Sequence, residues 1–106
     1  MIQLTVVPRT RVNLFGLLVG KELELRRKGR GTLHRSGPKR SRREKWTHSS
    51  YPGWVTLERR DDGRLAATVH SRAADSDWQL LRSLIGFLDR HFREKLVSIT
   101  LSYDEE

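Results

Sequence analysis

Apolar residues at Trp78, Leu81, Ile85, Leu88 and Phe92 are spaced alternately three and four apart, the repeat of one helix face. Leu80, Leu84 and Phe87 widen that stripe, so the helix predicted over Ser76–Phe92 has a broad face to bury, and a sheet is the natural partner. On this spacing Trp78 belongs to the core. Ser76 and Gln79 have the spacing of a capping box, in which the serine oxygen takes an orphan amide proton and the glutamine reaches back. Asp75 and Asp77 complement the positive end of the helix dipole, and His91, Arg93 and Lys95 the negative end. Gly86, which costs about 1 kcal/mol against alanine in a helix interior, is expected to permit close approach to a strand. After the helix the period drops to two. Val97, Ile99, Leu101 and Tyr103 alternate with Ser98, Thr100 and Ser102, a strand with one apolar and one polar face.

The rest of the chain reads mostly as strands. Ile2, Leu4 and Val6 alternate with Gln3 and Thr5, and Pro8 closes that strand because it has no N–H to donate. Residues 11–20 fit a short helix or a bent strand equally. Leu23 and Leu25 alternate with Glu22 and Glu24, and Gly29 and Gly31 supply turn residues before Thr32 and Leu33, so residues 21–36 read as a hairpin. Ser36-Gly37-Pro38 breaks regular structure, residues 39–45 read as a charged loop, and Trp46 to His48 as a short strand. Tyr51-Pro52-Gly53 marks a turn. The clearest hairpin runs from Trp54 to Ser71: Val55 and Leu57, then Leu65, Ala67 and Val69, point one way, and Asp61-Asp62-Gly63 forms the turn.

These elements predict a single α+β domain over residues 1–106. Its sheet is mainly antiparallel or mixed, with about five to six strands, one long helix in the C-terminal half packed on one face, and a final strand. Val55, Leu57, Leu65, Ala67, Val69, Val97, Ile99 and Leu101 would face the helix. Trp54, Thr56, Thr68, His70, Ser98 and Thr100 would face away, toward either the 11–20 segment or a binding or dimer surface.

Composition adds three constraints. Apolar residues make up 36% of the chain, so the core is modest and a partner or second copy is a natural cover for part of the surface. The absence of cysteine removes disulfides, thiol chemistry and cysteine-based zinc sites. The apolar run after Arg9 and Arg11 is too short to cross a bilayer and leads to no cleavage site, so the expectation is a soluble cytoplasmic protein without a membrane partner.

Charge changes the picture most. Residues 26–45 hold ten basic groups against one acid, a net +9, while residues 1–25 carry +1 and residues 46–106 carry −2. The candidate polyanion-binding set is therefore Arg26, Arg27, Lys28, Arg30, Arg35, Lys39, Arg40, Arg42, Arg43 and Lys45. Clustered cations gain affinity for nucleic acid by releasing its condensed counterions, and arginine forks onto phosphate oxygens. Gly29-Arg30-Gly31 resembles a single copy of an arginine–glycine RNA-binding tract. Trp46, Tyr51 and Trp54 follow the basic run and are candidate stacking platforms for bases.

The chemistry of catalysis is thin by comparison. His34, His48, His70 and His91 show no zinc-like interval, Asp61 and Asp62 read as turn residues, and residues 104–106 as a solvated acidic tail. No nucleophile elbow or phosphate-cradling glycine loop is present. The reading is a small non-enzymatic binding module for nucleic acid or another polyanion, with no cofactor and no metal or catalytic residues assigned. Its alternatives are an interaction protein, a homodimer or an inhibitor-like partner that uses the outer sheet face or meets an acidic protein, and an enzyme with a site near His48 and His70.

Overall fold

The computed structural model describes residues 1–9, 12–73 and 76–103. Among them six strands form one antiparallel sheet: β1 (Ile2–Pro8), β2 (Leu33–Arg35), β3 (Arg43–His48), β4 (Trp54–Arg59), β5 (Leu65–His70) and β6 (Leu96–Tyr103). Their order across the sheet is β2-β3-β4-β5-β1-β6. Two helices, α1 (Leu14–Arg27) and α2 (Ser76–Phe92), complete the domain. The α+β class and the long helix followed by a last strand agree with the periodicity. Asp75 and the 104–106 tail lie outside the described residues.

Burial is one-sided. Ile2, Leu4 and Val6 in β1, Trp46 in β3, Val55 and Leu57 in β4, and Leu65, Ala67 and Val69 in β5 are all buried. The residues between them are not. Successive strand side chains point to opposite faces, so both helices lie on the same face. Leu14, Phe15 and Leu18 of α1 and Leu80, Leu81, Leu84, Leu88 and Phe92 of α2 close a single core over it. Each such side chain withdrawn from water contributes about 1.5–3 kcal/mol. The 11–20 segment therefore does not shield the second face, which stays open.

The hairpin expected over residues 21–36 is not formed. Residues 14–27 are helix instead. The buried positions of α1 are Leu14, Phe15, Leu18 and Glu22, a helical spacing in which a carboxylate takes the place of an aliphatic side chain. Glu22 is 2% exposed and accepts from His34 Nδ1 at 2.9 Å and pairs with Arg26 Nε at 3.2 Å. Asn13 caps the start, its side-chain oxygen accepting from Gly16 N. Gly29, at φ 66°, ends the helix: its N–H donates to Arg26 O, and Arg30 N–H donates to Leu25 O. That is a Schellman cap, built from the glycine that also suits a hairpin turn. The hairpin lies further on, between β2 and β3, with Leu33 opposite His48 and Arg35 opposite Trp46. Residues 43–45, expected in a loop, are paired strand.

Three packing expectations are also corrected. Trp78 is 49% exposed rather than core. The buried stripe of α2 is centred near Leu84 and Leu88, and at 100° per residue Trp78 lies roughly 100° from that centre. Val97 is 63% exposed, because the β1–β6 register shifts between Val7 and Pro8, while Ile99 and Leu101 are half-buried. Gly86 has no atom within 4 Å of where a Cβ would stand, so no strand approaches it closely. The hairpin over β4 and β5 forms as read, with Gly63 at φ 88° and Asp62 Oδ1 accepting from Arg64 N.

Two glycines should respond oppositely to alanine. At Gly53 the backbone has φ 99° and a Cβ would stand 2.2 Å from His70 O. Gly53→Ala should cost at least about 2 kcal/mol in chemical denaturation. Gly86→Ala meets nothing and should stabilise by up to about 1 kcal/mol. Equal effects at the two positions would contradict this geometry.

Candidate nucleic-acid interface

The ten basic residues of the 26–45 segment do not form one patch. Arg26 pairs with Glu22, Lys28 with Glu24 at 3.8 Å, and Arg42 with Asp61. The other seven (Arg27, Arg30, Arg35, Lys39, Arg40, Arg43 and Lys45) make no ion pair among the described residues. The fold sends them to different places. Arg27 and Arg30 sit at and beyond the end of α1, Arg35 lies opposite Trp46 and so on the helix side, and Lys39 and Arg40 are in the exposed β2–β3 loop.

Arg43 and Lys45 occupy the open face. β3 is amphipathic with an inverted look: Glu44 and Trp46 point inward, which turns Arg43 and Lys45 outward. Lys45 stands opposite Thr56, and Trp54 opposite His70. The Trp54 and His70 rings stack at 4.8 Å with 13° between their planes, and Lys45 Nζ lies 4.9 Å from the Trp54 ring centroid. Pro38, Arg40, Arg43, Lys45, Trp54 and Thr56 line a shallow depression of about 400 Å³. Beyond it the ladder continues with hydroxyls and an amide: Thr56, Thr68, Gln3 and Ser102 stand in one row. Glu58, opposite Arg43, is the one acid pointing to this face among the described residues, and it pairs with Arg60 at 3.4 Å.

The three aromatic candidates separate. Trp54 lies on the open face, stacked on His70. Trp46 is fully buried, its Nε1–H donating to Glu44 Oε1 at 3.0 Å and its ring edge-on to Phe87, so it is a core residue and not a platform. Tyr51 stacks at a tilt on His48, 4.5 Å away, on the helix side. His70 carries no stacking signal of its own in the sequence; its place opposite Trp54 follows from hairpin register once the turn is fixed.

A second basic surface lies on the helix side. Arg30, Arg82 and Arg90 line a cleft of about 640 Å³ between the end of α1 and α2, floored by Leu25, Leu33 and Phe87. Arg82 and Arg90 fall outside the charge-rich segment and carry no signal in the sequence beyond their helical spacing. His91 also lines this cleft. His91 stands in the last turn of α2 as expected, and burial, helped by Lys21 and Arg90, holds its pKa below the usual 6.5.

His48 shares the inward face of β3 with Trp46, whereas His70 points to the open face. The two stand on opposite sides of the sheet. Among the described residues no group of three or more histidines or acids is placed to hold a metal. No helix among them is long and apolar enough to cross a membrane. No family model, curated protein or solved structure matches the chain.

Two consequences concern stability. Glu44 is 2% exposed, and its Oε2 has no hydrogen-bond partner among the described residues while Oε1 serves Trp46. Glu44→Ala strands the indole N–H in the core and should cost about 1–3 kcal/mol. Glu44→Gln keeps an acceptor and should cost less; urea midpoints compare the two. The pKa values of His48 and His91 are both lowered, chiefly by burial. The unfolded chain therefore takes up protons first, and stability present above pH 6.5 is lost as pH falls through the folded values. The urea midpoint should be lower at pH 5.5 than at pH 7.5, and His91→Gln should shrink that difference.

Proposed function

We propose that the protein is a non-enzymatic module that binds single-stranded nucleic acid across the open face of its sheet. Arg40, Arg43 and Lys45 meet phosphates, and the Trp54–His70 stack receives a base. The observation that carries this reading is the Lys45–Trp54–His70 arrangement beside two arginines that have no internal ion pair. A ring pair and cations on one exposed sheet, bordered by threonine and serine, offer stacking and counterion release together. A single strand suits this surface better than a duplex, because only unpaired bases present their faces to a ring. The polar row from Thr56 to Ser102 extends the track past the charged end and can take sugar hydroxyls or base edges.

Titration of labelled single-stranded DNA and RNA, followed by anisotropy at 50 and 200 mM salt, tests the reading. Three phosphate contacts predict a slope of log affinity against log salt near −2, about a 20-fold loss across that range. Trp54→Ala should weaken binding by about 1–3 kcal/mol, and Lys45→Ala should flatten the salt slope by about 0.7. Arg82→Ala is the control on the helix side and should change little. Salt-independent affinity, or full affinity in Trp54→Ala, overturns the reading; loss in Arg82→Ala alone moves the site to the cleft between the helices.

A further inference from the structure

We propose that the cleft between the end of α1 and α2 is a second binding site, on the helix side of the sheet, and that it takes a small phosphate monoester with a flat apolar part. Arg30, Arg82 and Arg90 line it over a floor of Leu25, Leu33 and Phe87. Its volume of about 640 Å³ falls in the range of about 300–1,000 Å³ that holds small organic ligands. Among the described residues no acid lines it. The acids of the two helices nearby are engaged elsewhere: Glu22 with Arg26 and His34, Glu24 with Lys21 and Lys28, Asp89 with Arg93. Arg30, Arg82 and Arg90 make no ion pair among the described residues. Three guanidiniums around one hollow offer more donors than the two oxygens of a carboxylate can fill, and a phosphate monoester brings three oxygens and nearly two charges.

The sequence leaves these cations unpaired by position. Where α2 has an acid one turn before an arginine, it uses it: Asp89 accepts two hydrogen bonds from Arg93, at 2.8 and 2.7 Å. One turn before Arg82 stands Trp78, one turn after it Gly86, and one turn before Arg90 Gly86 again. None of these can neutralise an arginine. Arg82 keeps only a 3.4 Å hydrogen bond to Gln79 Oε1. On the facing wall the cap of α1 fixes Arg30, whose N–H donates to Leu25 O. His34 joins Glu22 Oε2 to Gly31 O through its two ring nitrogens, which pins the turn that carries Arg30. The backbone of both walls is thus set before a ligand arrives.

Gly86 points the same way independently. It lies four residues from Arg82 and four from Arg90, so the three share one ridge of α2. Glycine costs about 1 kcal/mol against alanine in a helix interior, and packing within the protein does not require it, since no atom lies within 4 Å of a Cβ built there. It lines the cleft. Glycine at this place leaves helix backbone bare between two cations, where a ligand can come close; a longer side chain would stand in that gap. His91, in the same lining, reports the local field. Its pKa is lowered first by burial and then by the charges of Lys21 and Arg90, with Glu24 opposing, and a field that disfavours a further cation favours an anion.

Phenyl phosphate is the probe, titrated into the full chain at pH 7.5 and followed by calorimetry and by the histidine ring-proton signals in NMR. Saturable binding should move the His91 signals and leave those of His70, on the open face, in place; His91→Gln assigns them. Inorganic phosphate, which has no apolar part to rest on the floor, should bind at least about 10-fold more weakly. Arg82→Ala and Arg90→Ala should each weaken phenyl phosphate about 10-fold, the loss of a hydrogen bond to a charged group. Arg64→Ala, the same change of charge on the β4–β5 turn, should not. Gly86→Gln puts a good helix former in place of glycine, so the urea midpoint should rise while affinity falls, a pairing that a purely structural glycine would not give. No saturable binding at about 10 mM phenyl phosphate overturns the proposal. So does binding that moves His70 and not His91, inorganic phosphate bound as tightly as phenyl phosphate, or full affinity in both arginine variants. The nucleic-acid titration reads Trp54 and this one reads Arg82, Arg90 and Gly86, so either site can fail alone.

Discussion

Every strand that packs on a helix does so with the same face, and this one-sided burial governs the rest of the molecule. Ile2, Leu4, Val6, Val55, Leu57, Leu65 and Val69 all point to the layer formed by α1 and α2. Nothing of that size is left to hold a second layer on the other side. The chain has too few apolar residues for a sandwich, so the second face must be tolerable in water. It is made of threonine, serine and glutamine, with Arg43, Lys45, Trp54 and His70 gathered toward one side. The proposed ligand surface is thus what a single-core sheet of this size leaves over, given particular chemistry at β3 to β5.

The same constraint explains which elements could be read beforehand. The β4–β5 hairpin was legible because alternation and turn chemistry agree: Asp62 and Gly63 fix the turn, and the register that follows buries five aliphatic residues together. Helix α2 was legible because its stripe is wide and purely apolar. Its flank was not. Spacing alone puts Trp78 in line with Leu81, Ile85 and Leu88, but a helix on a sheet buries only the arc that touches the strands, and that arc is centred on Leu84 and Leu88. α1 was hidden for a different reason. Its stripe contains Glu22, which is buried because His34 and Arg26 satisfy it. A pattern of apolar against polar letters cannot register a carboxylate used as a core residue, and the four-residue alternation of Glu22 to Leu25 then imitates a strand.

Charge asymmetry located the segment but not the residues. Ten clustered cations in the sequence look like one patch, yet the structure spreads them over a helix end, a loop and both faces of the sheet. Arg26, Lys28 and Arg42 are matched by local acids. What remains on the open face is Arg43 and Lys45, placed there because Glu44 and Trp46 occupy the inward positions of β3. Trp46 and Trp54 illustrate the same point: two tryptophans eight residues apart, one sealed against Phe87 and one stacked on His70 in the open. Strand parity, which depends on where β3 begins, decides between core and platform.

Sheet order then sorts the surface chemistry across the width of the domain. The short β2 stands at one edge beside the surplus positive charge, the Trp54–His70 stack lies near the middle, and the uncharged β6 stands at the far edge. That distribution follows from topology. β2 and β3 are neighbours joined by a short loop, so the loop cations Lys39 and Arg40 stay close to Arg43 and Lys45. β6 is remote from them because β4, β5 and β1 stand between it and β3.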